Sequence, residues 1–203
     1  MTTNDPITIL PANAATPDDL AAIFGSRGEA ARCQCQRYKL APRESFGAVP
    51  VAIRAGRLRD QTRCGQPADR TTSGIVGYRD GVPVGWCAVE PRPAYAGLLR
   101  VYRVPWLGRE EDKSDGGIWA ATCFLTRAGH RRQGISRALA RAAIDFARDR
   151  GARALEGYPM ITQPGQDVAW GELHVGSLSI FTAAGFAEIG RPTPRRAVVR
   201  IEL

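Results

Sequence analysis

Ile118-Trp119-Ala120-Ala121-Thr122-Cys123-Phe124-Leu125-Thr126, then Arg127-Ala128-Gly129-His130-Arg131-Arg132-Gln133-Gly134-Ile135-Ser136, then a long run to Gly151: the rest of the chain is organised around this stretch. Its first nine residues carry no charge and are mostly apolar, β-branched or aromatic, which predicts a strand covered on both faces. Beyond the basic turn, Ile135, Leu139, Ala142, Ala143 and Phe146 recur at helical spacing and define one buried face. Arg137, Arg141, Asp145, Arg148 and Asp149 fall mostly on the outer side, and Gly151 is placed as a left-handed C-terminal cap.

The turn between strand and helix carries the chemistry. The first N–H groups of a helix have no partner inside it, and the helix dipole adds positive potential at that end. An anion docked there satisfies both, above all where a glycine lets the backbone approach closely. Gly134 supplies the approach, and Arg131, Arg132 and Arg137 add charge that a diphosphate would complement. A nucleoside-triphosphate P-loop is excluded, because the Gly-Lys-Ser/Thr ending is missing. Taken alone, Arg-x-x-Gly-x-Ser fits an arginine-rich surface turn equally well.

Arg131-x-x-Gly134-x-Ser136, set between an apolar strand and a helix, resembles the coenzyme-binding motif of the GNAT (Gcn5-related) N-acetyltransferases. That family's pattern is Arg/Gln-x-x-Gly-x-Gly/Ala, from which Ser136 departs by one small residue. Ile180-Phe181-Thr182-Ala183-Ala184-Gly185-Phe186 resembles a second landmark, a helix ending in Gly-Phe ahead of the last two strands. The resemblance covers residues 73–203, and residues 1–72 match only loosely. It implies an α/β (by some schemes α+β) fold: a mixed, mostly antiparallel sheet of six to seven strands, flanked by helices and splayed at its central strands. One domain, 1–203, is expected, with a variable N-terminal part (1–72) and a coenzyme-binding core (73–203).

The resemblance further implies acetyl-CoA as acyl donor. Main-chain groups of Phe124, Leu125 and Thr126 would pair with the pantetheine arm, and those of Gln133, Gly134, Ile135 and Ser136 would hold the pyrophosphate. One amide of that strand would polarise the thioester carbonyl. Phe181 stands where many relatives carry the tyrosine that protonates the leaving thiolate, and is expected beside the coenzyme. His174 stands near a family asparagine. Homodimers are common in the family, which makes a second copy of the chain a candidate partner.

Composition agrees with a soluble enzyme. At 203 residues and 44% hydrophobic, one domain with a sizeable core is the default. No apolar run approaches the ~20 residues that span a bilayer. The start lacks the basic and apolar regions of a signal peptide, so a cytoplasmic protein is expected. Cys33, Cys35, Cys64, Cys87 and Cys123 are an odd count without scaffold spacing and are read as reduced thiols. The formal charge of +8 is nearly all arginine, scattered without a dense tract or interleaved aromatics. That argues against nucleic acid and suits a polyanionic small ligand.

In chain order, Ile7–Leu10 reads as a short strand, and Thr16-Pro17-Asp18-Asp19 as a capped helix start ending near Gly25. Arg32–Lys39 contains Cys33-x-Cys35, a poor zinc signal, read as two small residues on one side of an extended segment. A similar Cys-x-Cys followed by an aromatic and a basic residue occurs in one branch of the GNAT family, which would set it beside the acceptor pocket. Val49–Cys64 is predicted helical on Val51, Ile53 and Leu58. Asp80-Gly81 predicts a type I′ hairpin joining 74–79 to 82–90. Residues 93–117 read as an insertion whose Glu110-Glu111-Asp112 is a solvated loop. Ala154–Pro159 is a strand, 161–175 a loop long enough for a lid, and Ser177–Ala184 a short helix. Ala187–Ile189 and Ala197–Leu203 close the sheet.

Acetyl transfer needs a neutral amine, so a base or water chain must take its proton. The candidates are Glu90, at the end of a strand, Glu156 and Tyr158, which share one strand face, and His174. Each has a plainer reading. Glu156 suits an arginine partner, Tyr158 suits the core, and His174 suits an ordinary loop histidine. Cys123, in a buried strand, reads as packing rather than nucleophile, which favours direct attack in a ternary complex over a cysteinyl intermediate. The expected function is acetyl-CoA-dependent transfer to a small-molecule or amino-acid amine, without nucleic acid or membrane. A non-catalytic acyl-CoA-binding or sensing domain is the rival reading.

Overall fold

The computed structural model describes residues 7–203 except 164, 166 and 167. Its strands are β1 (Thr8–Pro11), β2 (Ile75–Arg79), β3 (Val82–Pro91), β4 (Ile118–Thr126), β5 (Ala154–Gly157), β6 (Ala187–Thr193) and β7 (Arg196–Glu202). They form one sheet in the order β1-β2-β3-β4-β5-β7-β6. Only β4 and β5 run parallel, and the other neighbours are antiparallel. The helices are α1 (Pro17–Phe24), α2 (Gly28–Cys33), α3 (Val51–Thr62), α4 (Ala96–Arg100), α5 (Ile135–Arg148), α6 (Trp170–Leu173) and α7 (Leu178–Thr182). This is the mixed α/β architecture expected.

The strand–turn–helix unit forms as read. Every residue of β4 but Thr126 is buried, because β3 and β5 flank it and helices cover both faces. Ile135, Leu139, Ala143 and Phe146 of α5 are buried against the sheet, while Ala142 is half-buried. Gly151, at φ 80°, closes α5: its N–H donates to the Arg148 carbonyl, and that of Ala152 to the Ala147 carbonyl. These are the two bonds of a Schellman cap. Thr16 caps α1, exchanging bonds with Asp19 in a capping box. Asp80 and Gly81, at φ 52° and 73°, make the left-handed pair that a type I′ turn requires.

Three readings need correcting. Cys33 ends α2, and Gln34 and Cys35 both have positive φ, so the Cys-x-Cys segment is a tight left-handed turn rather than extended chain. Both thiols are buried, and the Trp86 indole N–H donates to Cys35 Sγ at 3.4 Å. In α3 the buried stripe is Arg54, Leu58 and Thr62, at four-residue intervals, which leaves Val51 and Ile53 exposed. The Arg54 guanidinium lies over the Phe46 ring, 4.3 Å from its centre, and donates to the Phe46 carbonyl. The acidic loop is only partly solvated: Glu110 and Asp112 are exposed, but Glu111 pairs with Arg92, Arg109 and Arg200.

The β4–β5 ladder runs from Ile118↔Ala154 to Ala121↔Gly157 and stops. Beyond it β4 continues to Thr126 with β3 as its strand partner and none on the β5 side, so the central strands part, as the resemblance implied. Where they part, Gly157 lies under the Phe181 ring, and a Cβ there would be 2.3 Å from it. On the same face of the sheet, across β4, Gly85 lets α5 approach. A Cβ at Gly85 would be 2.5 Å from Ile135 Cγ2 and 3.0 Å from Leu139 Cδ1. Gly85→Ala must push α5 outward, and an overpacked core of this kind costs about 1–3 kcal/mol. Chemical denaturation should therefore show a lowered midpoint at unchanged slope.

Candidate active site

The turn from β4 to α5 is held open by its backbone and by a neighbour. Gly129, Arg132 and Gly134 all take positive φ, and Gly134 is the N-cap of α5 with no side-chain cap bond. Arg79, from β2, donates to both the main-chain and side-chain oxygens of Gln133. Gln133 Nε2 in turn donates to the Gly129 carbonyl at 3.3 Å. Thr126 Oγ1 and Ser136 Oγ lie 3.2 Å apart, tying the strand's end to the first turn of α5. The result is an exposed, uncapped helix start with Arg131, Arg132 and Arg137 around it, the electrostatics of an anion cradle.

Two adjoining hollows open there. One, of about 300 Å³, is walled by Phe124, Thr126, Arg131, Arg132, Ser136 and Gly176 among others. The second, of about 290 Å³, shares Thr126, Arg132 and Ser136 and reaches His130, Gly134 and Arg137. A third hollow, of about 140 Å³, lies across the chain segment 171–176 and is bordered by Arg37, Tyr38, Tyr102, Tyr158, His174 and Arg196. Gly171 and His174 face this third hollow, whereas Leu173 and Gly176 face the first. One segment of main chain is thus the partition between them.

That partition crosses the gap between the parted strands. The Phe124 N–H donates to the His174 carbonyl at 2.6 Å, and the Gly176 carbonyl accepts from Met160, just beyond β5. Phe124 is therefore directed into the gap, but its amide is bonded within the chain. Leu125 does not face the gap. It sits opposite Trp86, two residues from Arg127, whose N–H donates to the Val84 carbonyl, so strand alternation turns its peptide groups toward β3. Thr126 points the same way as Phe124 and borders both hollows at the start of α5.

The catalytic candidates separate clearly. Glu156 is fully buried, and its oxygens face Arg92, Arg109, Arg200 and the Tyr158 hydroxyl, which donates at 2.8 Å. No lone pair is left for an amine, so Glu156 is structural. Burial, with the Glu156 charge behind it, pushes the Tyr158 hydroxyl well above its ordinary value, so it keeps its proton. Tyr158 borders the third hollow, with its hydroxyl held by Glu156. Glu90 pairs with Lys39, and the carboxyl is raised by burial against the opposing pull of that ammonium; it borders none of the three hollows. Phe181 is a correction as well: it is fully buried against Phe124 and Phe186, and Ile180 takes its place at the walls of the first two hollows. Ile135 sends its side chain into the core while the residue still borders the second hollow, as a main-chain role requires.

His174 remains. Its ring borders the third hollow, 5.9 Å from that of Tyr38, and Nδ1 lies 2.9 Å from the Gly171 carbonyl. A carbonyl only accepts, so Nδ1 carries the proton and Nε2 the lone pair. Burial first, then the charge of Arg37, lowers the imidazole to about 4, so it is neutral at physiological pH. Cys123 is buried, and its thiol is raised well above the ordinary range by its bond to Cys35 and by burial, as suits packing rather than nucleophilic attack. Sequence reasoning missed Arg37 and Arg196, since nothing marks them among so many arginines. The described residues hold no cluster of three or more potential metal ligands.

The acetyltransferase (GNAT) family model matches residues 40–164. A search of curated proteins finds no match. Among solved structures, a GCN5-related N-acetyltransferase from Kribbella flavida is similar at TM-score 0.53 and 17% identity, over 97% of this chain and 98% of that one. A ribosomal-protein-alanine N-acetyltransferase from Brucella melitensis gives 0.51 and 18%, over 97% and 99%. The putative acetyltransferase yncA from Salmonella typhimurium, solved with its cofactor acetyl-CoA, gives 0.51 and 16%, over 97% and 93%. At these identities the likeness is one of fold.

The buried imidazole makes stability depend on pH. The unfolded chain protonates this histidine near 6.5, the folded one only near 4. Its contribution is full above pH 6.5 and is lost as pH falls toward and through 4. By pH 4 the native protein should have lost roughly 3 kcal/mol more than a His174→Gln variant. Urea titrations of both across pH 4–7 check this.

Proposed function

The chain belongs to the GNAT family of acetyltransferases, and on that premise we propose that it moves the acetyl group of acetyl-CoA to the amine of a small molecule, by direct attack in a ternary complex. The observation that carries this reading is the uncapped start of α5 opening onto a hollow that runs to the Phe124 amide. The residues present suit the donor. Main-chain N–H groups around Gly134, Ile135 and Ser136, with Arg131, Arg132 and Arg137, would hold its pyrophosphate. Thr126 and Phe124 would meet the pantetheine arm. The Phe124 amide already binds a carbonyl oxygen, that of His174, and the thioester carbonyl would take its place. That exchange requires segment 171–176 to give way, which joins the two sides of the partition.

In the reaction, the neutral amine forms a bond to the thioester carbonyl carbon while the Phe124 N–H stabilises the developing oxyanion. The C–S bond then breaks, the surplus amine proton goes to a base, and the thiolate takes a proton from solvent in place of the missing tyrosine. The base we assign is His174, a neutral imidazole on a residue that lines the third hollow. A cytoplasmic location belongs to the same proposal: all five cysteines are unbridged, as a reducing compartment keeps them.

Two measurements test it. Acetyl-CoA with a panel of amines should release free thiol above background. Its absence for every amine, with coenzyme A still bound, would mean a sensing domain instead. Second, Gly134→Val should weaken coenzyme A binding tenfold or more by calorimetry, about 1.4 kcal/mol. A β-branched residue is strained at φ +81°, which lowers the melting temperature by a few degrees, but nothing lies within 4 Å of the new Cβ, so the variant should still fold. Undiminished affinity would remove the loop from the donor site.

A further inference from the structure

The third hollow carries two guanidiniums with no counter-charge. Arg37 Nη1 donates to the Gly171 carbonyl at 3.1 Å, and Arg196 Nη1 to the Glu172 carbonyl at 3.4 Å. Both side chains come from half-buried residues, and among the described residues neither has a carboxylate within 4 Å. Glu172, whose carbonyl Arg196 takes, turns its carboxylate to Arg195 instead, at 2.9 Å. Other arginines in the chain are neutralised: buried Arg92 shares Glu111 and Glu156, and Arg57 is gripped by both oxygens of Glu44. A guanidinium drawn partly out of water and given only one neutral acceptor keeps most of its fork of donors for a ligand.

The rest of the wall matches that charge. Tyr38 and Tyr102 pack edge to face with ring centres 4.5 Å apart, and with the Tyr158 ring they give an apolar surround that sharpens any ionic contact inside. His174, on the same wall, is neutral partly because Arg37 and Arg196 both act on it. An anion on the arginines would cancel that influence and make the imidazole a better proton acceptor. The ligand that improves the base would then be the substrate that needs it.

We propose that the third hollow takes an acceptor bearing an acid anion, a carboxylate or phosphonate, as well as the amine to be acetylated, with Arg37 and Arg196 as the residues that bind that anion. This rests on the acetyl-transfer reading and narrows its substrate to acidic amines. The anion sits on the arginine side and the amine is directed to the partition, behind which lies the Phe124 amide. Choice between a neutral amine and its acidic counterpart is made by two charges that are unpaired until substrate arrives.

The test is a matched panel. The acids are α-, β- and γ-amino acids and aminobenzoates; each is paired with its carboxamide, and aminoalkylphosphonates form a further arm. Thiol release from acetyl-CoA gives kcat and KM for each. At least one acid or phosphonate should exceed its neutral counterpart tenfold or more in kcat/KM, although the carboxamide's amine is the less protonated of the two. The arm that responds identifies the anion. Arg37→Gln and Arg196→Gln should each raise KM for that acceptor about tenfold and narrow its lead over the carboxamide, with KM for acetyl-CoA unchanged. Arg37→Lys and Arg196→Lys, which keep the charge, should recover part of the loss. Carboxamides used as well as acids, or variants with unaltered KM, would overturn the assignment while leaving acetyl transfer standing. No thiol release with any member would overturn the transfer reading and this one with it.

Discussion

Where the parallel ladder of β4 and β5 stops, at Ala121 and Gly157, the outward peptide groups of Phe124 and Thr126 lose their strand partner. A buried amide left unanswered costs about 1–3 kcal/mol, so the chain must supply something in place of a strand. It supplies the His174 carbonyl, on a segment whose far end is anchored by Met160 bonding to Gly176 and Leu178. The gap is kept open from below by the Phe181 ring over Gly157. Every hollow of the site is placed by this one interruption: two on the α5 side of the segment, one on the tyrosine side. A site built this way is ready to exchange one carbonyl for another, because the amide stays satisfied before and after.

Charge is distributed with equal economy. Beside the gap, Glu156 is sealed among Arg92, Arg109 and Arg200, with Glu111 closing the group from the loop before β4. Buried ion pairs of this kind contribute little net stability, but losing one partner strands the others at a cost of about 3–5 kcal/mol. Here the cluster ties β5 and β7 to residues 109–111 and so fixes the rim of the tyrosine-lined hollow. Among the arginines without a carboxylate partner, Arg131, Arg132 and Arg137 lie about the start of α5, and Arg37 with Arg196 line the hollow on the other side of the segment.

The strand, the turn, the long helix and its glycine stop were legible in the chain because each rests on neighbours within a few residues: periodicity, an uncapped helix start, a left-handed glycine. The hairpin at Asp80-Gly81 and the cap at Thr16 were legible for the same reason. Local pattern misled where the partner was distant. Val51 and Ile53 are apolar yet exposed, since the stripe of α3 that meets the core is decided by Phe46 and the sheet rather than by α3 itself. Glu111 lies in an acidic run, yet it is pulled inward by Arg200, 89 residues away.

The same division runs through the site. By itself the sequence marked Arg131 to Ser136 as the turn on which the proposed anion site rests, because it is contiguous and its amides are ordered by the helix that follows. Only the tertiary structure decided which charges and which walls each titratable group meets. Glu156 and Glu90 are consumed by arginines and a lysine from other elements, Phe181 is sealed in the core, and His174 is brought to the wall of a hollow beside two unpaired guanidiniums. Whether a carboxylate acts as base, brace or packing depends on charges brought near it by folding, and such proximity leaves no trace in spacing along the chain.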